Sequence, residues 1–239
     1  MSMLSDVMAQ LRGAGTAQNR KVYARHGAAE PMFGVSYKDL GRIAKPLRTN
    51  HQLAGELWDS GNHDARVLAL RIADAAAITA SQAQRWLGSV DNYILAEGLG
   101  GLLAHSPHAR ALSEQWRDSA NEWPASVGWF IVTCTAEQPD VWSVDELRGF
   151  VTQIGTEIAE RPNRVRHEMN GALIAIGLRG PELRRAVLDV DARIGPVQVD
   201  HGETGCKTPA IAPYIERTLA HRDKMAARRA AKAAAKASR

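Results

Sequence analysis

Four short segments of the chain share one pattern, a helix-capping Asn followed by an apolar stretch. The four are Gly61-Asn62, Asp91-Asn92, Ala120-Asn121 and Pro162-Asn163, at intervals of 30, 29 and 42 residues. Asn is a favoured N-cap because its side-chain oxygen accepts an unpaired backbone N–H of the first turn. A capped helix that returns every 30 to 45 residues or so is typical of an α-solenoid built from helix pairs. The sequence therefore predicts an all-α solenoid, whose concave face is the expected place for function.

The predicted helices fall into one domain, which suits a chain of 239 residues. Only 5% of the residues are aromatic, and Ala and Leu are plentiful, which favours helices over strands. We predict a single domain over residues 1–221, with an irregular loop at 195–213, and a frayed basic tail over 222–239. The helix pairs of the repeats are expected at about 51–77, 80–104, 108–136 and 143–178, followed by a last helix at 181–194.

Composition excludes several classes of protein. No apolar run approaches the roughly 20 residues that a membrane span needs, and the N-terminus lacks a signal-peptide pattern. The two cysteines, Cys134 and Cys206, give no disulfide framework. Phosphate-cradling loops, HExxH patterns and nucleophile elbows do not appear. We therefore expect a cytoplasmic monomer with no membrane partner and no cofactor.

The basic pI of about 9.3 comes largely from the tail. Residues 222–239 hold 7 basic residues and 1 acidic residue, whereas residues 89–160 hold 3 basic and 11 acidic ones. The tail is expected either to add sequence-independent affinity for phosphates or to serve only as a solvated segment. Both interpretations stay open at this stage.

The helix after Asn92 is the most informative. Leu95, Leu99 and Leu102 share one helical face and are expected in the core. Tyr93 and Glu97 lie four residues apart on the opposite face, beside Gly98 and Gly101, with Gly100 as a third glycine of the helix. Each glycine costs about 1 kcal/mol in a helix interior. They therefore indicate either a smooth surface that a ligand approaches or tight packing between helices beside a solvated Glu.

The helix after Asn163 has a similar layout. Val165, Met169, Ala172, Leu173 and Ile176 form its core stripe. Arg164, His167 and Gly171 lie away from it, with Arg166 and Asn170 on one flank, and Arg161, Arg164 and Arg166 sit together near the start of the helix. Cations near a helix N-terminus oppose the helix dipole, which suggests an anionic partner. A solvated arginine cluster is the alternative.

The segment Asp200–Lys207 contains four residue types that bind metals, Asp200, His201, Glu203 and Cys206. Their spacing matches no metal motif. We therefore expect a hydrogen-bonded structural loop and no metal.

Several segments between about residues 19 and 217 resemble the bacterial DNA alkylation repair family, the HEAT-like repeat DNA glycosylases. The resemblance is carried by Tyr23-Ala24-Arg25-His26-Gly27, Gly34-Val35, Glu56-Leu57-Trp58-Asp59, Asp118-Ser119-Ala120-Asn121-Glu122-Trp123, Arg164-Val165-Arg166-His167-Glu168-Met169-Asn170-Gly171 and the loop at 199–207.

The resemblance implies HEAT-like repeats and excision of cationic alkylated purines from duplex DNA. The family's catalytic helix has an aromatic residue followed four positions later by Asp, and these positions here are Tyr93 and Glu97. Tyr93 and Glu97 are thus the candidate catalytic residues. In the hypothesis that follows, Arg20, Lys21, Arg25, Arg164, Arg166 and His167 bind phosphates, and Gly98, Gly101, Trp123, Asn170 and Gly171 support the concave face.

This chain departs from the family pattern at several positions. Tyr93 stands for the usual Trp, Glu97 for Asp, and residues 124–127 lack the Arg that the family often has there. A non-catalytic scaffold that binds a protein partner or structured DNA is the alternative function.

Overall fold

The computed structural model describes residues 2–237, and every regular element in this range is helical. The end of the predicted tail, residues 238 and 239, lies outside the described residues. The α-helices are α1 Met3–Ala14, α2 Ala17–Arg25, α3 Tyr37–Leu47, α4 His51–Asp59, α5 His63–Ile72, α6 Ala80–Leu87, α7 Tyr93–Leu103, α8 Ala109–Trp116, α9 Glu122–Thr135, α10 Val144–Glu157, α11 Asn163–Arg179, α12 Pro181–Ile194 and α13 Ile211–Ala237. No helix among them is long and apolar enough to cross a membrane.

The predicted all-α fold is confirmed, and the four predicted helix pairs are α4–α5, α6–α7, α8–α9 and α10–α11. Two of the four predicted Asn caps act as expected. The side chain of Asn62 accepts from the Ala65 N–H at 3.2 Å, and that of Asn92 accepts from the Leu95 N–H at 3.1 Å. These bonds fix where α5 and α7 begin.

The other two Asn residues differ from the prediction. Asn121 precedes α9 without a side-chain cap bond. Asn163 is the first residue of α11, and Pro162, which has no side-chain acceptor, occupies the N-cap position. The α11 N-terminus is satisfied instead by Glu122, whose carboxylate accepts from the Arg164 N–H at 2.7 Å. The Asn163 side chain is therefore free to bind the backbone of Asp200, in the loop 199–209.

Two hydrophobic clusters fill the solenoid, one over the N-terminal half and one over the C-terminal half. In the first, the rings of Trp58 and Trp86 stack with centroids 4.6 Å apart. Leu95 and Leu99 are fully buried as predicted, whereas Leu102 is only partly buried and Leu103 takes its place in the core. The predicted core stripe of α11 is completely buried.

Gly128 sets how closely α8 and α9 approach. A Cβ atom at this position would lie 2.4 Å from the backbone nitrogen of Arg117 and 2.7 Å from its Cα. Backbone atoms cannot move aside as a flexible side chain can. Gly128→Ala is therefore expected to lower the free energy of unfolding by about 1–3 kcal/mol, measured by urea denaturation.

Gly149→Ala is the matched control for that change. Gly149 lies inside α10, and no atom would lie within 4 Å of an added Cβ. The same substitution should raise stability there by about 0.5–1 kcal/mol, because Ala is the better helix former. Equal effects at the two positions would contradict the close approach inferred for α8 and α9.

The C-terminal helix α13 runs through the boundary predicted at residue 221. Ile211 and Ile215 at its start are buried against the rest of the domain. Further along, the Arg222 guanidinium donates two hydrogen bonds of 2.7 Å to the Glu137 carboxylate. Both side chains are almost half exposed, so this ion pair adds little stability.

Candidate functional site

A depression of about 600 Å³ lies where α2, α3, α5 and α7 meet, a volume typical of ligand pockets. Three tyrosines line it, Tyr23, Tyr37 and Tyr93, together with a carboxylate from Glu97 and a guanidinium from Arg71. Tyr93 and Glu97, the candidate catalytic residues on α7, thus border this depression.

Tyr93 is held from two sides. Its hydroxyl is hydrogen-bonded to Nδ1 of His26, which follows α2. The Cζ atom of Arg164, from α11, lies 4.0 Å from the centre of the Tyr93 ring, in cation–π geometry. Burial raises the pKa of Tyr93 to about 12. The side chain is therefore a neutral phenol that presents a fixed aromatic face and a hydrogen-bonding group.

Glu97 faces the same space, with about a third of its side chain exposed. Its Oε1 accepts from Nη2 of Arg164 at 3.2 Å. Burial raises the pKa of Glu97, and the nearby Arg164 charge opposes that rise. A carboxylate fixed beside an aromatic ring can stabilise a positive charge that develops in front of it.

Arg164 brings a cation from α11 to the pair on α7. Its side chain is only 10% exposed and contacts both Tyr93 and Glu97. Phosphate binding by Arg164, expected from the sequence, remains a prediction. The structure gives Arg164 a further role as the residue that positions the α7 pair. Sequence spacing could not reveal this contact, because Glu97 and Arg164 lie 67 residues apart.

His167 and Glu168 follow Arg164 on α11, and each has a polar atom within 4.8 Å of the Glu97 carboxylate. Burial, assisted by the Arg164 charge, lowers the pKa of His167 to about 4, so the ring is neutral at physiological pH. Burial, together with the neighbouring Glu97 charge, raises the pKa of Glu168 well above the ordinary value. Glu168 was not among the predicted site residues, although the sequence places it within the segment that resembles the family.

The loop 199–209 lies against this site and is hydrogen-bonded as predicted. Asn163 exchanges two hydrogen bonds of 2.7 Å with the backbone of Asp200. The His201 ring packs edge-on against His167, with centroids 5.5 Å apart. Cys206 and Lys207 line a depression of about 340 Å³ with Tyr93, Glu97, Arg164, His167 and His201. The loop therefore forms one wall of the site, and Lys207 is a cation that sequence reasoning had not assigned.

The remaining predicted cations do not form one cluster. Lys21 and Arg25 are exposed on α2, and Arg25 lines a small depression with Tyr93. Arg20 pairs with Glu30 at 2.5 Å. Arg166 lines a separate depression with Arg193 and Gln198. Lys21 and Arg25 are thus the predicted phosphate contacts that the structure leaves most accessible.

The predicted support residues have varied surroundings. Asn170 is buried and donates to the Pro209 carbonyl at 3.1 Å, which anchors the end of the loop. Trp123 borders the small depression beside Arg25. Added Cβ atoms at Gly98, Gly101 and Gly171 would meet Leu70, Phe130 and Thr133 respectively. These glycines therefore sit at helix contacts as well as beside the site.

Asp64 is a residue that sequence reasoning missed. Its carboxylate is fully buried and accepts from the backbone N–H groups of Phe33, Gly34 and Val35, at 2.6, 3.0 and 2.6 Å. The Val35 carbonyl in turn accepts from the Tyr23 hydroxyl. This network fixes the connection between α2 and α3, and with it the wall of the depression that α2 provides.

Comparison with known proteins agrees with this architecture. Residues 7–197 match the family model described as DNA alkylation repair enzyme. The chain is 26% identical over 203 residues to the uncharacterized proteins Lin0241 of Listeria innocua and Lmo0209 of Listeria monocytogenes, a span that covers 82% of this chain and 88% of each relative.

A solved structure is similar over almost the whole chain. It is described as a new family of proteins related to the HEAT-like repeat DNA glycosylases with affinity for branched DNA structures. Its TM-score to this chain is 0.82 at 26% identity, and the match covers 91% of this chain and 94% of that one. The fold predicted from the Asn repeats is therefore a HEAT-like repeat fold.

Proposed function

This chain belongs to the DNA alkylation repair enzyme family, and on that basis we propose that it binds duplex DNA across its concave face and releases cationic alkylated purines. The observation that supports this proposal best is the arrangement of Tyr93, Glu97 and Arg164 beside the depression. It combines a fixed aromatic face with a carboxylate, which are the two groups that the reaction needs.

The proposed reaction is hydrolysis of the N-glycosidic bond. An alkylated purine that already bears a positive charge leaves with the bonding electron pair as a neutral base, so no acid is required. The sugar gains positive charge as the bond breaks, and the Glu97 carboxylate stabilises it. Water then adds to the anomeric carbon and loses its proton to Glu97. Tyr93 contacts the sugar and backbone, while Arg164 keeps Glu97 in place.

A second candidate function is binding of branched DNA without chemistry. Three observations favour it. Arg164 already neutralises part of the Glu97 charge, and the loop that includes Cys206 and Lys207 forms a wall over the α7 pair. The similar solved structure is also described as having affinity for branched DNA structures. In this alternative, Lys21 and Arg25 bind phosphates, and Glu97 has a structural role.

The proposed function is tested by release of 7-methylguanine and 3-methyladenine from methylated duplex DNA, in buffer that contains EDTA. The full chain and a chain that ends at residue 221 are compared, because the basic tail alone can bind DNA. Release by both chains supports the glycosylase. Binding to a four-way junction without release of either base would favour the second candidate.

DNA affinity itself should fall with salt and depend on α2. Replacement of both Lys21 and Arg25 by Ala in the chain that ends at residue 221 is expected to reduce the slope of log affinity against log salt by about 2. Arg85→Ala is the matched control, since Arg85 is exposed on α6, a helix that lines none of the depressions described above. An unchanged slope in the double variant would place the DNA elsewhere.

A further inference from the structure

Glu97, His167 and Glu168 bring three metal-binding side chains together. One ligand atom from each residue, two carboxylate oxygens and one ring nitrogen, lies within 4.8 Å of the other two. Opposite ligands of one ion bound at about 2.0–2.3 Å stand about 4–4.6 Å apart, and adjacent ligands stand closer. The three donors therefore already have nearly the separation that a shared ion requires.

The buried carboxylate of Glu168 indicates that this cluster binds a ligand. The residue is only 3% exposed. No hydrogen bond or ion pair joins its carboxylate to residues 2–233, and one of its oxygens lies within 4.8 Å of ligand atoms of Glu97 and His167. A buried carboxylate without a partner is costly, and it is stabilised by taking up either a proton or a cation.

The other two donors are also available. Arg164 bonds only Oε1 of Glu97, and Oε2 accepts no hydrogen bond from residues 2–233. The Nδ1 atom of His167 is buried without a hydrogen-bond partner. The ring is neutral, which is the form that binds metals. Each of the three residues thus has a donor that no protein group uses.

We propose that Glu97, His167 and Glu168 bind one divalent transition-metal ion. The imidazole nitrogen favours a transition metal over Mg²⁺ or Ca²⁺, and the two carboxylates make Mn²⁺ a suitable ion. Water fills the remaining positions, on the side where the loop 199–209 borders the site. Arg164 keeps its bond to the other oxygen of Glu97 and offsets part of the charge of the two carboxylates.

The test measures Mn²⁺ binding to the full chain without DNA, after removal of metals with a chelator. Electron paramagnetic resonance follows the signal of free Mn²⁺, which is lost on binding. We expect one ion per chain, and we expect excess Zn²⁺ to displace it more effectively than excess Mg²⁺. Glu168→Gln and His167→Gln should each weaken binding at least about tenfold.

Two exposed residues provide matched controls. Glu216→Gln on α13 and His105→Gln after α7 make the same chemical changes away from the cluster, and both should leave Mn²⁺ affinity unchanged. Thermal unfolding of each variant shows whether the fold is intact. Absence of Mn²⁺ binding by the unaltered chain at millimolar concentration would overturn the proposal and leave a proton as the partner of Glu168. Equal affinity in all variants would overturn it too.

The metal site and the proposed function can fail separately. The base-release assay contains EDTA, and the binding measurement contains no DNA. If both proposals hold, a bound ion occupies the carboxylate that the reaction needs. In a base-release assay without EDTA, added Mn²⁺ should then slow base release, and Glu168→Gln should reduce that inhibition.

Discussion

Glu97→Gln is expected to slow the release of 7-methylguanine at least about 100-fold, which is the usual cost of removing one group that stabilises charge in a transition state. Gln keeps the size of the side chain and an oxygen for Arg164. It lacks the negative charge that opposes the developing positive charge on the sugar. DNA affinity should not fall, because the substitution removes a negative charge from the surface that faces phosphate.

Glu216→Gln is the control for this prediction. Glu216 is exposed on α13, and its replacement by Gln removes the same charge outside α7. It should leave the rate of release unchanged. A Glu97→Gln chain that releases bases at the normal rate would exclude Glu97 from the chemistry, whatever its effect on DNA affinity.

The same residue determines the expected direction of the pH dependence. Burial raises the pKa of Glu97, despite the opposing Arg164 charge. The ionised form is the active one and is present above that pKa. Release should therefore decline as the pH falls, and the decline should begin at a higher pH than for an exposed carboxyl group, whose pKa is about 4.3. The rate of release against pH, corrected for spontaneous depurination, measures this.

Asp64→Asn should lower the free energy of unfolding by about 2–4 kcal/mol. The carboxylate accepts three backbone N–H bonds in a fully buried position, and hydrogen bonds to a charged group contribute about 1.5–3 kcal/mol each. Asn offers one oxygen and turns an NH₂ group toward the N–H donors of Phe33, Gly34 or Val35. Urea denaturation measures the loss.

Asp59→Asn is the matched control, since Asp59 is exposed at the end of α4. Its effect should stay within about 0.5 kcal/mol. Asp64→Asn should also weaken DNA binding, because the connection that Asp64 holds positions α2 with Lys21 and Arg25. If Asp64→Asn is as stable as the control, the buried carboxylate does not hold the connection.

The repeats could be predicted from local patterns, whereas the site could be predicted only in part. Caps and apolar periodicity depend on residues within a few turns, so Asn62, Asn92 and the stripe of α11 were identified correctly. Tyr93 and Glu97 were found because both lie on one helix. Their bonds to His26 and Arg164 join residues 67 apart in each case, and no local pattern reports such a contact.

Asn163 and Glu168 show why residue type and sequence spacing were insufficient to predict the whole site. Asn163 has the sequence context of a cap, but Glu122 from another repeat satisfies the N-terminus and leaves Asn163 to the loop. Glu168 has the position of a flanking polar residue. It is nevertheless buried, on a helix that packs against α9, and this packing depends on the whole arrangement of repeats.

The position of the loop has a consequence for how the domain holds together. In an open solenoid each repeat contacts only its neighbours, so the two ends can fray independently. Here Asp200–Gly202 and Arg25–Gly27 border the same small depression, although Arg25 and Asp200 are 175 residues apart in the sequence. The loop thus joins the last repeat to the first helices. Opening of either end breaks this contact. We therefore expect the two ends of the solenoid to unfold together, as they do in a closed structure, and not independently.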